Sequence, residues 1–265
     1  MRLSFSSFAT ALSLFVATSS TSNTVNTTAF SPASKKSFVT KYSTTSLNMS
    51  SAKGASLKPY IETLIDGKRH LSVDETKDAF SAILKGADEV QVGSFLTLLR
   101  ARGENPDEIA GAVEAMNDAC NSVDLGDMKL LDIVGTGGDG ADTINISTAS
   151  TVLSAACGCI VAKAGNRSVS SACGSADVLE ALGVKVDLTP SQVIECVNAV
   201  GIAFMFAPVN HPSMKYVAPV RSKLGVRTVF NILGPMTNAA SAQRAVIGVF
   251  HPELMELMAG ALKKV

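Results

Sequence analysis

The chain has 265 residues, 46% of them hydrophobic, enough to bury one large core and a second, smaller one. Its formal net charge of zero hides an asymmetry: residues 1–61 carry six Lys or Arg and no acid, whereas residues 62–265 carry 17 basic and 23 acidic side chains, a balance of −6. A body of that sign argues against generic nucleic-acid binding, and its few cations are expected to act as local anion ligands.

Residues 1–50 hold 22 Ser or Thr. Met1-Arg2 precedes an apolar core, Ala9 to Ala17, which is too short to span a membrane and has the size of a signal-peptide core. Thr28-Ala29-Phe30-Ser31-Pro32 follows, and then an acid-free stretch with Lys35, Lys36 and Lys41. The pattern resembles the bipartite presequence of nucleus-encoded plastid proteins in algae with complex plastids, with cleavage before Phe30. The alternative is a plain secretory signal. Secretion would favour a disulfide framework, yet cysteines 120, 157, 159, 173 and 196 show neither that spacing nor a zinc-type C-x-x-C pair. We therefore expect a targeting presequence over 1–49, a plastid-stromal mature protein and no membrane segment in it.

From Ser56 the hydrophobic period becomes helical. Leu57, Tyr60, Ile61, Leu64 and Ile65 share one face, and Ser72-Val-Asp-Glu75 is a capping box for a helix ending at Gly86. Val92, Phe95, Leu96 and Leu99 mark a third helix, closed by Gly103. Asn105-Pro106 opens a fourth, with Ile109, Val113, Met116 and Cys120 along its face. These four helices predict a small all-α domain over 50–125.

Beyond it, strands and helices alternate, which predicts a mostly parallel α/β domain over 126–265. Leu130 to Val134 is strand-like and runs into Gly135-Thr-Gly-Gly-Asp139, after which Thr148 to Cys157 reads as a helix. Strand, glycine loop and helix converge backbone N–H groups on an anion, and Asp139 and Asp142 beside them suit Mg²⁺ travelling with a pyrophosphate. An ordinary tight turn is the plainer alternative. Cys159 to Lys163 is a second strand, ending in Lys163-Ala-Gly-Asn-Arg-Ser-Val-Ser-Ser171. Its two cations and four hydroxyl or amide groups suit a phosphate and ribose clamp, or simply a solvated loop. Gly174-Ser-Ala-Asp177 opens a helix through Leu182, Thr189-Pro-Ser-Gln192 is a further capping box, and Phe204 to Phe206 is a strand. Taken alone, His211 reads as a solvent-facing or capping histidine. Arg227 to Asn238 is apolar and then turn-like, Arg244 to Phe250 is a last strand, and His251-Pro252 starts a last helix.

Seven segments in order carry a family resemblance: Gly135 to Asp139, Asn145 to Thr148, Lys163 to Ser171, Gly174 to Gly183, Phe206-Ala-Pro, Pro219-Val-Arg221 and Arg227 to Pro235. Together they resemble anthranilate phosphoribosyltransferase, from about Leu57 to Val265. The resemblance implies an α/β fold of the nucleoside phosphorylase/phosphoribosyltransferase type with a helical domain that dimerises. It also implies transfer of phosphoribose from phosphoribosyl pyrophosphate to anthranilate in tryptophan biosynthesis. Carried over by position, Gly135, Gly138, Asp139, Thr143, Asn145, Ile146, Ser147 and Thr148 would hold the pyrophosphate end, with Ser147 a Mg²⁺ ligand. Lys163, Asn166, Arg167, Ser171 and Ser175 would complete the phosphoribosyl site. Gly135, Asn166, His211 and Arg221 would meet anthranilate, Arg221 at its carboxylate. No residue is implied as an acid or base. Two departures stand out: Ala164 occupies a position where the family often has His, and the family's acidic Mg²⁺-binding pair has no counterpart before Val265. The second implies a chain that is either incomplete at its carboxyl end or weak in activity. A pyrimidine nucleoside phosphorylase and a non-catalytic binding protein on the same scaffold are the competing readings.

Overall fold

The computed structural model describes residues 55–67, 69–138, 140, 144–168 and 173–265. The expectations for the presequence, and those for Asp139, Asp142, Thr143 and Ser171, lie outside the described residues.

Four helices form the N-terminal bundle: α1 (Lys58–Ile65), α2 (Val73–Leu84), α3 (Glu89–Arg102) and α4 (Pro106–Asp118). Their starts are set by local chemistry. Ser72 and Glu75 make the reciprocal capping box, Asp88 accepts the Val90 and Gln91 N–H groups, and Asn105 with Glu108 forms a second box ahead of Pro106. Val92, Phe95, Leu96 and Leu99 are buried as their spacing predicts, and Phe80 meets Phe95 edge-on at 5.9 Å. Ile65 departs from its predicted place on the buried face. It is 64% exposed, because it ends α1 one position past the Leu57–Leu64 stripe and nothing packs over it.

The bundle does not close on itself. Its core takes in Val217, Val220, Val229, Phe230, Ile232, Leu233, Met236, Met258 and Ala261, all from the later part of the sequence. Those residues come from α9 (Ala218–Leu224), α10 (Phe230–Leu233) and α11 (Glu253–Leu262) or the turns beside them. Phe230 reaches Phe80 at 5.4 Å, and the ion pairs Lys223–Glu89 and Lys264–Asp107 lie on the same seam. The stretch from Arg227 to Asn238, read from sequence as apolar and then turn-like, contains α10 in its apolar part and a 3₁₀ turn at Gly234–Met236. Its apolar residues are too short a run to show helical period, and the bundle core recruits them.

The second core lies around a four-stranded parallel sheet in the order β3-β2-β1-β4. The strands are β1 (Leu130–Gly135), β2 (Ile160–Gly165), β3 (Ile202–Phe206) and β4 (Arg244–Gly248). Helix α5 (Ile146–Ala156) crosses from β1 to β2. Helices α6 (Ser175–Ala181) and α7 (Pro190–Val200) lie between β2 and β3, and α8 (Ala207–Asn210) follows β3. The strand order reverses at β1, so the loop after β1 sits where parallel sheets open a ligand crevice.

One irregularity shapes that crevice. β1 pairs with β4 as far as Gly135↔Gly248, but with β2 only at Leu130↔Ile160 and Leu131↔Val161. Beyond those pairs the strands are bridged by side chains. Asp132 accepts the Ala164 N–H at 3.2 Å, and Lys163 Nζ donates to the Ile133 carbonyl at 2.6 Å. The sheet therefore forks at its carboxyl end. Among the described residues no helix is long and apolar enough to cross a membrane.

Candidate active site

The glycine loop leaves β1 with two successive left-handed residues, Gly137 (φ 63°) and Gly138 (φ 75°), a backbone course that a Cβ would strain. Thr136 N–H donates to the Gly248 carbonyl, and Thr136 Oγ1 accepts the Phe250 N–H. The backbone then enters α5, capped by Asn145. The Asn145 side-chain oxygen lies 2.8 Å from Thr148 Oγ1 and 3.4 Å from both Thr148 N and Ser147 Oγ. The N-terminal turn of α5 faces the fork. Thr148 Oγ1 is also 3.0 Å from Ser175 Oγ at the start of α6, and Lys163 Nζ is 3.5 Å from Ser147 Oγ.

Asn145, Ser147, Thr148, Lys163 and Ser175 thus meet near the carboxyl ends of β1 and β2, with Gly135 as the last residue of β1 and Gly138 on the loop beyond it. Ile146 is present there through its backbone; its side chain is exposed and its N–H is turned back to the Ile144 carbonyl. Lys163 is 2% exposed. Burial pulls its pKa down to about 8, while the Asp132 carboxylate works in the opposite direction. Asp132, itself 1% exposed, has its pKa raised by burial, against hydrogen bonding from Asn238 and the charge of Lys163.

Arg167 is tied to its own loop. Its guanidinium makes a two-pronged pair with Glu180, lies 3.8 Å from Asp177 and sits 5.2 Å above the Phe206 ring. With two carboxylates already against it, Arg167 braces its loop instead of presenting free charge. Asp177 completes the brace by accepting the Ser168 and Gly174 N–H groups, which hold its carboxyl below the usual value. Asn166 is exposed, its amide oxygen accepting the Arg167 N–H.

The other residues come from beyond β3. His211 follows α8, is largely buried, and shares a hydrogen between Nε2 and the Thr237 carbonyl at 3.1 Å. A carbonyl can only accept, so Nε2 carries the hydrogen, and with burial lowering the pKa the neutral ring leaves Nδ1 as an acceptor. The residue after Thr237 is Asn238, whose amide donates to Asp132 Oδ2 at 2.7 Å and to the Ala162 carbonyl at 3.0 Å, so the histidine is linked to the fork. Arg221 on α9 is half-buried over the Phe230 ring, 5.7 Å from its centroid, and burial lowers its pKa. No carboxylate pairs with it among the described residues.

Three contributors were missed from sequence. Asp132 carried a signal, an acid inside an apolar strand run. Asn238 and Arg227 carried none, because their partners lie 106 and 89 positions away.

Comparison with known proteins agrees with this two-part construction. Residues 58–120 match the glycosyl transferase family helical bundle domain and residues 127–265 match the glycosyl transferase family a/b domain. The anthranilate phosphoribosyltransferase of Methanosarcina acetivorans is 54% identical over 207 residues, covering 78% of this chain and 56% of that protein. That of Chlamydia felis is 50% identical over 202 residues, covering 76% of this chain and 58% of that protein. Among solved structures, anthranilate phosphoribosyltransferase from Thermus thermophilus superposes with a TM-score of 0.73 at 46% identity, over 77% of this chain and 62% of that one. The Saccharomyces cerevisiae enzyme in complex with PRPP and Mg gives 0.72 at 31% identity, over 77% and 61%. The chain thus spans less than two thirds of the length of these relatives.

Proposed function

We propose, because the chain belongs to the anthranilate phosphoribosyltransferase family, that it transfers phosphoribose from phosphoribosyl pyrophosphate to the amine of anthranilate, releasing pyrophosphate in tryptophan biosynthesis. The observation that carries this reading is Arg221, a half-buried guanidinium with no acid against it among the described residues. Holding an unpaired charge away from water is costly unless a ligand supplies the counter-charge. A planar fork of N–H donors suits a carboxylate. His211 Nδ1 offers an acceptor for the amine, and Asn166 an exposed amide. Gly135, Gly138, Asn145 to Thr148, Lys163 and Ser175 form the phosphoribosyl end, with Arg167 shaping its loop.

Mg²⁺ enters this reading with the pyrophosphate of the substrate. The Ser147 hydroxyl lies 3.4 Å from an amide oxygen and 3.5 Å from the Lys163 ammonium, and no trio of His, Cys, Asp or Glu gathers nearby among the described residues. One neutral oxygen fits an ion whose charge is already matched by phosphate oxygens, and Ser147 is the residue that would hold it. The ion supplies charge stabilisation to the departing pyrophosphate. The protein's own residues bind and orient. An aryl amine is unprotonated at neutral pH, so attack at the ribose C1 needs no strong base, and rate comes from alignment and from donors fixed around the leaving group.

Arg221→Ala is expected to weaken anthranilate binding about 10- to 100-fold, the scale of a lost charged hydrogen-bond pair, while changing affinity for Mg²⁺–phosphoribosyl pyrophosphate little. Calorimetry on both ligands decides; equal losses would defeat the assignment. Lys163 gives a pH test. Its pKa is about 8 folded against 10.5 for an ordinary lysine, so between those values the unfolded state holds the extra proton and stability rises with pH. Affinity for phosphoribosyl pyrophosphate should fall through the same window as the ammonium discharges. Parallel trends in urea midpoint and affinity would remove Lys163 from the anion site.

The acid-free leader supports plastid import, to be tested by fusing residues 1–49 to a fluorescent reporter. Exposed Ile65 (64%) and Val90 (76%) support a homodimer through the bundle, and a monomer by sedimentation at micromolar concentration would refute it.

A further inference from the structure

Arg227 belongs to no ligand set above, yet it touches the glycine loop from outside the sheet. It lies between α9 and α10, and its Nη2 donates to the Gly138 carbonyl at 2.6 Å. Its guanidinium carbon stands 4.3 Å from the centroid of the Phe250 ring. The contact is close enough that a Cβ on Gly138 would fall 2.8 Å from Nη2 and 3.3 Å from the guanidinium carbon. Phe250 is not an incidental platform, because its own N–H donates to Thr136 Oγ1 at the other end of the loop. No acid pairs with Arg227 among the described residues, so its charge stands beside the loop without a described counter-charge.

We propose that Arg227 is a positioning residue for the pyrophosphate group, clamping the Gly135–Gly138 loop against Phe250 in the conformation that receives the anion. The proposal rests on the phosphoribosyltransferase reading of the loop. Two successive left-handed glycines have little conformational preference of their own, so without an external tie this backbone samples many states and loses entropy when it closes on an anion. Arg227 supplies the tie. Drawing the Gly138 carbonyl toward the guanidinium also engages an oxygen that would otherwise repel phosphate. The planar group does both because it stacks on a ring with its face while donating from its edge, which an ammonium cannot do.

The test pairs a ligand-free readout with a binding one, on the full-length protein. Hydrogen exchange of a peptide covering Gly135–Gly138 measures the clamp, and calorimetry with Mg²⁺–pyrophosphate measures its consequence. Arg227→Ala is expected to speed exchange there and to weaken Mg²⁺–pyrophosphate binding about tenfold, the low end for a hydrogen bond from a charged group because the residue is exposed. Melting temperature and anthranilate binding should stay unchanged. Phe250→Leu should move both readouts the same way by about threefold, and Arg227→Lys should restore only part of the affinity. Unchanged exchange in Arg227→Ala overturns the clamp, and faster exchange with unchanged pyrophosphate affinity overturns its link to the anion. A wild-type protein that binds no pyrophosphate defeats the functional reading, and the exchange measurement then rules on the clamp by itself.

Discussion

Asp132→Ala is expected to lower stability by about 3–5 kcal/mol, the cost of stripping one partner from a buried charged network. Two groups lose their acceptor and a third its nearby counter-charge. The Asn238 amide keeps only the Ala162 carbonyl, the Ala164 N–H faces a void where β1 and β2 have already parted, and the Lys163 ammonium loses its compensating charge. Because water cannot replace a carboxylate that is 1% exposed, the cost falls on the folded state. Asp132→Asn keeps the volume and one acceptor, so it should lose less than the alanine variant. The measurement is the urea unfolding midpoint of the three proteins. Equal stability of Asp132→Ala and wild type would mean the fork is held by pairing and packing alone. The variant should also lose affinity for phosphoribosyl pyrophosphate, since the fork sets where Lys163 and the glycine loop stand.

A second large effect is expected at Gly111, in the middle of α4. A Cβ there would stand 2.2 Å from the Val73 carbonyl oxygen and 2.9 Å from both Lys77 N and Thr76 Cβ, all on α2. Backbone atoms of a packed helix cannot step aside, so Gly111→Ala must push α2 and α4 apart. Overpacking of this kind costs up to about 3 kcal/mol or somewhat more. The better helix propensity of alanine returns about 1 kcal/mol, leaving a net loss of up to about 2 kcal/mol or somewhat more. The sign is informative, because propensity alone predicts stabilisation. A raised thermal midpoint for Gly111→Ala would show that the two helices have room to separate.

Local signals in the sequence were specific wherever the chemistry is local. The capping boxes at Ser72 and Thr189 and the proline-led start at Pro106 are all present, because a cap is a hydrogen bond between residues three apart and needs no tertiary partner. Strand β1 and helix α5 follow from an apolar run, a cluster of glycines and an alanine-rich stretch. The sequence boundaries were short by one or two residues where backbone pairing extends past the apolar core, as at Gly135↔Gly248. Ile65 and the stretch around Phe230 were harder to place, since each depends on what other segments cover. Residues at the site divide in the same way. Lys163, Ser147, Thr148 and Ser175 converge as their motifs imply, whereas Arg167 proves to be occupied by Glu180, thirteen positions on, which gave no sign of pairing.

By itself, then, the sequence determined the helical bundle, the alternating α/β order, the glycine loop and the family to which these belong, for period, caps and contiguous motifs are properties of neighbours along the backbone. Only the tertiary structure decided that α9, α10 and α11 finish the bundle core, that the sheet forks at Asp132, and that Arg227 grips Gly138 while Arg221 meets no acid among the described residues. Each of these depends on segments dozens of residues apart, which come together only when the elements pack, and at Asp132 and Arg221 it is the burial so created that sets the value of a charge.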